Sequence, residues 1–235
     1  MKQEVAVIAG VGAGLGWALA KRFSRAGMRV AAVARDVDKL KELADAEGSA
    51  DIRLERCDVA HPAEVARFFE RVEKELGVPG IVVFNAGAYE RGGILESEPE
   101  TFERCWRIGC FGGFLVGQAA ARLMVSKRAG TILFTGATAS LRGSAGFINL
   151  AAPKFGLRAV AQSMARELGP QGIHVAHVIL DGQIDSDRDH RLLREQAEPS
   201  MLPPDDIAEA YYQLHRQSRG AWTHELDLRP WSEKF

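Results

Sequence analysis

Residues Ala9 to Gly16 read AGVGAGLG and sit between an apolar run, Val5-Ala6-Val7-Ile8, and a helix-like stretch from Trp17 to Phe23. A strand, a turn stripped of side chains and a helix start therefore follow one another. Glycine tolerates positive φ and lets a ligand approach the main chain, and the amides that open a helix carry partial positive charge, so a phosphate fits at such a junction. The strict dinucleotide fingerprint has glycines at offsets 0, 2 and 5. Here the fifth offset from Gly10 is Leu15, while Gly10, Gly14 and Gly16 spell GxxxGxG. A plain flexible turn uses the same residues, so the elements downstream decide between the two.

Those elements alternate. Arg29 to Ala34 reads as a buried strand, Asp36 to Glu47 as a helix with Leu40 and Leu43 on one face and Gly48 at its end, and Asp51 to Cys57 as a strand. The next helix runs from His61 to about Leu76 with Pro62 at its start, where proline's missing donor costs little. Gly80 to Phe84 is the fourth strand, followed by a long helix from about Pro99 to Lys127 and a strand from Thr131 to Thr135. A helix then runs to Leu168, stopped by Gly169-Pro170, before a sixth strand from Ile173 to Ile179. Asp181 to Pro204 turns polar and proline-bearing, which suggests a mobile segment over the strand ends, where open α/β sheets bind ligands. A helix from Asp205 to Gln217 and a short strand near His224 to Leu228 complete the pattern. Apolar strands alternating with helices predict an α/β fold: a doubly wound, Rossmann-like parallel sheet of about seven strands in one domain over residues 1–235.

Charge narrows the partners. Lys and Arg number 30 against 31 Asp and Glu, so no strong field exists for nucleic acid or an anionic membrane, and a small neutral partner is expected. With no leader-like start and no unbroken apolar stretch of about 18 residues, the chain reads as soluble and cytoplasmic. Cys57, Cys105 and Cys110 form no CxxC pair and read as packing residues. The six histidines are scattered, and His174 and His177, three apart in a strand pattern, point to opposite faces, so no metal site is expected.

The glycine turn, Asn85-Ala86-Gly87 after the fourth strand, Asp58-Val59 after the third, Lys154-Phe155-Gly156-Leu157 leading to Ala165-Arg166-Glu167-Leu168, and Gly172-Ile173-His174-Val175 together resemble the single-domain branch of the short-chain dehydrogenase/reductase family. The resemblance implies that Gly10, Gly12, Gly14, Leu15 and Gly16 face the pyrophosphate of a nicotinamide dinucleotide. It places Asp58 and Val59 at the adenine, Asn85, Ala86 and Gly87 on the coenzyme side of the sheet, and Lys154 at the ribose. Ser186 aligns with the hydroxyl residue near the carboxamide and Ile184 with its apolar neighbour, although Asp181-Gly182 replaces the usual Pro-Gly. From residue type alone, Asp58 equally suits a turn cap and Asn85 a backbone brace. At the ribose position a carboxylate would favour NAD, but Ala34 stands there, and the guanidinium of Arg35 can pair with a 2′-phosphate. NADP is therefore preferred over NAD, although Asp36 is close and Ala13 occupies a position that is basic in many NADP-binding relatives.

The acid–base residues break the pattern. The family's proton-transferring tyrosine stands four residues before the lysine, on the same helix face. That position is Leu150, which has no proton to give. The serine position falls on Ala137 and the asparagine position on Gly109. Pro153 complicates the register, because proline suits only the first turn of a helix: either the helix begins near Ala152 or Pro153 and leaves Leu150 outside it, or it starts earlier and bends. Tyr89, Thr138 and Ser140 are candidate polar substitutes. Against them, Tyr89 suits an exposed loop, and the two hydroxyls suit bonds to their own backbone.

Two functions follow. One is an NAD(P)-dependent oxidoreductase acting on a small carbonyl, alcohol or imine through an atypical proton path. The other is a non-catalytic NAD(P)-binding sensor or partner subunit of an active relative. In either case the resemblance implies a homodimer or homotetramer built on the faces of Pro99 to Lys127 and Ala152 to Leu168, with Phe111, Phe114, Leu115 and Leu123. The segment Glu225 to Phe235 departs from the family's ending, leaving Trp231 to cover a neighbouring subunit's pocket or its own core.

Overall fold

The computed structural model describes residues 3–46, 52–186 and 200–232. Seven strands form one parallel sheet: β1 (Val5–Ala9), β2 (Arg29–Ala34), β3 (Ile52–Arg56), β4 (Ile81–Phe84), β5 (Gly130–Thr135), β6 (Ile173–Leu180) and, at the edge, the strand Glu225–Leu228. Their spatial order is β3-β2-β1-β4-β5-β6 and then the edge strand. The order reverses direction between β1 and β4, which opens a crevice at the carboxyl ends of these strands.

Alternation along the strands sorts the core into two layers. Ala6 and Ile8 of β1 join Ala176, Val178 and Leu180 of β6 beneath α1 (Leu15–Arg25) and the helix Pro204–His215. Val5, Val7 and Ala9 face the other way, with Ile132 and Phe134 of β5, beneath α3 (Pro62–Glu75), α5 (Gly112–Val125) and α6 (Ile148–Leu168). Every residue of β1 is buried, as expected for a strand covered on both faces. Between α1 and α3, α2 (Asp38–Ala46) buries Leu40.

The long helix expected from Pro99 is present but not uniform. It consists of α4 (Pro99–Trp106), a π-helical turn over Arg107–Phe111, and α5. By length and hydropathy Pro99–Val125 is able to cross a membrane. In this fold Val116, Ala120 and Met124 bury against the sheet, so its apolar face is core.

Pro153 does not start α6. The helix begins at Ile148, so Leu150 lies within it, one turn before Lys154, and the reading in which the helix begins near Ala152 or Pro153 is incorrect. The proline is accommodated because its ring packs on Gly109 in the π turn, where an added Cβ would lie 3.1 Å from Pro153 Cβ. After β6, Gln183–Ile184 and Met201–Leu202 form a separate two-stranded parallel sheet. The rest of the expected mobile segment, residues 187–199, lies outside the described residues, as do Gly48, Asp51 and residues 233–235. Trp231 is 87% exposed, so it does not cover its own core.

Candidate active site

The glycine turn divides its work among its residues. Gly10 has φ +96°, and an added Cβ would lie 2.3 Å from the Ala86 nitrogen, so both conformation and crowding require glycine. Its amide and that of Val11 donate to the Val33 carbonyl at 3.0 and 2.9 Å. Gly10 therefore shapes the turn without offering its own N–H. Gly16 is also a packing residue, 2.6 Å from Val11 Cα at the Cβ position, and Leu15 is buried. Gly12 has open space around it, and Gly14 caps α1 without any side-chain hydrogen bond. The amides from Gly12 onward are thus what the turn presents to an anion at the helix start.

A crevice of about 240 Å³ lies over the switch point. It brings together most of the coenzyme residues expected from sequence: Gly10, Gly12, Arg35, Asp58, Val59 and Asn85-Ala86-Gly87. Asn85 does two jobs, since it lines the crevice while its Nδ2 donates to the Gly10 carbonyl at 2.9 Å. Asp58 likewise lines it while its carboxylate accepts from the Ala60 amide at 2.9 Å. Cys57 also lines the crevice, its thiol pushed up to about 11 by burial. Arg35 is exposed at the rim, and no side-chain partner is found for it among the described residues, while Asp36 is engaged in accepting from the Asp38 amide at 3.2 Å at the start of α2. Ile184 and Ser186 lie outside the crevice lining. Ser186 instead seats on the glycine turn, its Cβ 3.2 Å from the Cβ position of Gly14.

Lys154 is buried behind Gly87, outside the crevice lining itself. Its Nζ donates to the Thr135 carbonyl at 2.7 Å and lies 4.0 Å from the Cβ position of Gly87. Burial pulls its ammonium down to about 8. Behind β5, the buried Tyr211 donates to Thr135 Oγ1 at 2.9 Å, and burial raises its phenol. That phenol belongs to the opposite layer of the sheet.

Each of the three candidate polar substitutes has a partner in the structure. Thr138 donates to Asp181 at 2.5 Å rather than to its own backbone, and Asp181 is itself paired with Arg229 at 3.1 Å. Ser140 is fully buried and its Oγ accepts from the Ala137 amide at 3.1 Å. Tyr89 is 45% exposed and stacks on Phe147 with ring centres 5.4 Å apart.

Sequence reasoning missed two contacts between a glycine and a ring. Gly109 carries the Pro153 ring, as described above. Gly136, immediately before Ala137, carries His177, whose Nε2 would lie 2.4 Å from a Cβ there. Burial pulls the His177 imidazole down to about 4, and neither ring nitrogen has a protein partner. The available signal was the odd-numbered position of His177 on β6, which points it under α6. Asn149, which no motif singles out, donates to the Glu90 carbonyl at 3.1 Å and to Ser97 Oγ at 3.2 Å, tying the loop after β4 to the start of α6. No group of three or more metal-ligating side chains occurs among the described residues.

Comparison with known proteins supports this geometry. Residues 4–197 match the family model for short chain dehydrogenases. A short-chain dehydrogenase from Rhodopseudomonas palustris superposes with a TM-score of 0.83 at 39% identity, over 98% of this chain and 100% of the other. A metagenomic short-chain oxidoreductase in complex with NADP gives 0.82 at 26% identity, over 98% of each chain. The human 3-oxoacyl-[acyl-carrier-protein] reductase is 29% identical over 82% of this chain and 80% of its own length.

Proposed function

The chain belongs to the short-chain dehydrogenase family, and on that premise we propose that it transfers hydride to or from a small carbonyl, alcohol or imine by a proton path that dispenses with the family's phenol. The observation that carries this reading is the crevice itself. Its turn leaves amides from Gly12 onward unobstructed, Gly12 faces open space, and Lys154 lies behind Gly87 at the inner end. These features fit a nicotinamide dinucleotide, which when bound supplies the hydride chemistry. The chain's own part is to hold the diphosphate at the α1 amides, the adenine side at Asp58 and Val59, the ribose at Lys154 and the carboxamide side at Ile184 and Ser186.

NADP is preferred over NAD, because Arg35 is available at the rim while Asp36 is engaged as a cap. The metagenomic oxidoreductase that this chain resembles was solved with NADP. A homodimer or homotetramer is supported by a run of stacked rings on the outer face of Pro99–Val125. Trp106 and Phe111 stack at 5.9 Å, Phe111 and Phe114 at 6.3 Å, and Trp106 and Phe114 remain exposed.

The second reading, a non-catalytic sensor or partner subunit, draws on Leu150 standing in helical register where the phenol belongs. Titrating NADPH against tryptophan fluorescence and then following absorbance with a panel of aldehydes and ketones separates the two. Binding with turnover supports the oxidoreductase. Binding without turnover transfers support to the sensor, and no binding overturns both.

A further inference from the structure

We propose that Lys154 is itself the general acid of this site, donating a proton from Nζ directly to the substrate oxygen. The inference rests on the oxidoreductase reading above and says which group completes the reaction once the phenol is absent.

Elimination and geometry carry it together. Apart from His177, taken up below, the other proton-bearing side chains described around the inner end are committed or turned away. The Thr138 hydroxyl is given to Asp181, Ser140 is sealed under the turn, and Tyr211 lies behind β5 on the far layer. Tyr89 is on an exposed loop against Phe147, and Cys110 is buried against Gly156. Lys154 Nζ alone stands beside the crevice-lining Gly87, and its bond to the Thr135 carbonyl uses one of its three N–H groups. Leu150, one turn earlier and only partly buried, presents an alkyl group in place of a competing acid.

The surroundings also suit a proton donor. From β6, the buried His177 is neutral above about pH 4. On α6 itself, Arg158 is held by Glu225 of the edge strand through a bond at 2.7 Å and a second at 2.8 Å. No carboxylate among the described residues pairs with Nζ. Desolvation without a counter-charge disfavours the ammonium, the direction that makes a lysine a competent acid near neutral pH.

The step balances simply. During reduction, hydride arrives at the carbonyl carbon, the C=O π pair moves to oxygen, and that oxygen takes a proton from Nζ. The N–H pair stays on nitrogen as a neutral amine, which regains a proton from solvent. The carbonyl is reduced and the nicotinamide oxidised.

The test begins without turnover. Reductive 13C-methylation of the chain, with the Lys154 resonance assigned by its loss in Lys154→Arg, is followed by NMR across pH in the absence of coenzyme. A midpoint near 8 is expected, and a midpoint above 10 overturns the proposal. Turnover is then measured with NADPH and a carbonyl panel that includes 4-nitrobenzaldehyde. Reduction by the wild type is expected to fall tenfold per unit above about pH 8. Lys154→Arg keeps the charge and the ribose contact, so NADPH affinity is expected within threefold of wild type while kcat drops about 100-fold, the general-acid scale, and the break near pH 8 disappears. Turnover in Lys154→Arg within threefold of wild type, or a break that persists there, overturns the assignment to Lys154 and leaves the oxidoreductase reading intact. NADPH binding with no reduction of any carbonyl by the wild type overturns both together.

Discussion

The two ends of the crevice are built differently. At the coenzyme end, the work falls to main chain and to residues that brace it: the Gly10 turn, the Asn85 bond to the Gly10 carbonyl, and the amides that open α1. At the reacting end, the resemblance aligns the asparagine, serine and tyrosine positions with Gly109, Ala137 and Leu150, and two rings pack close by, Pro153 on Gly109 and His177 on Gly136. Close packing explains the pairing, because a Cβ at Gly136 would overlap the His177 ring and one at Gly109 would crowd Pro153. The reacting end is a packed unit of rings on glycines, whereas the coenzyme end is a turn of main chain open to the crevice.

This contrast is open to direct attack, and the largest effect is expected at the coenzyme end. Gly10→Ala forces a Cβ into the Ala86 backbone at a positive φ; overpacking and strain together cost on the order of 3 kcal/mol. NADPH affinity measured by tryptophan fluorescence should fall about tenfold or more, because the amides that follow Gly10 are displaced from the diphosphate. Affinity within threefold of wild type would show that the turn is not what holds the coenzyme.

At the reacting end, Leu150→Tyr returns a phenol one turn before Lys154, into a partly exposed position of an intact helix. Turnover is expected to rise by about 10²-fold, the low end of general acid–base help, with NADPH affinity unchanged. No gain would mean that the packing at this end holds the substrate away from that position.

His177 tests the packed end through stability. Its folded pKa, about 4, lies below the ordinary 6.5, so the unfolded chain binds a proton that the folded chain refuses. The stability this represents is fully present above pH 6.5 and is lost as pH falls from there to about 4, a difference of about 3 kcal/mol. Chemical denaturation across that window should show the loss in wild type and a flatter profile in His177→Leu. Equal slopes would place the ring in contact with water.

The smallest effect is expected at the rim. Arg35→Ala should weaken NADPH about tenfold, the scale of one charge-assisted contact, and leave NADH within twofold. Equal losses for both coenzymes would remove the NADP preference.

Much of this contrast is legible in the sequence. The alternation of strands and helices, the crevice residues and the three missing acid–base groups follow from local apolar periods and from motif spacing, because a parallel sheet and a glycine turn are specified by neighbours in the chain. The start of α6 is not legible there. Pro153 argues locally for a helix beginning at that point, whereas in the structure the helix starts at Ile148 and the proline ring packs on Gly109, 44 residues away in the chain. Likewise Thr138 promises a local backbone bond and instead donates to Asp181 on the far side of β6.

By itself, the sequence determined the architecture, the residues that line the crevice and the leucine four residues before Lys154, since each depends on residue type at short range. Tertiary structure alone decided that Leu150 is held in helical register with Lys154, that His177 fills the space before Ala137, and that the remaining hydroxyls are already committed. Those outcomes depend on which side chains meet across the sheet, and a contact between distant segments leaves no periodic trace in either one.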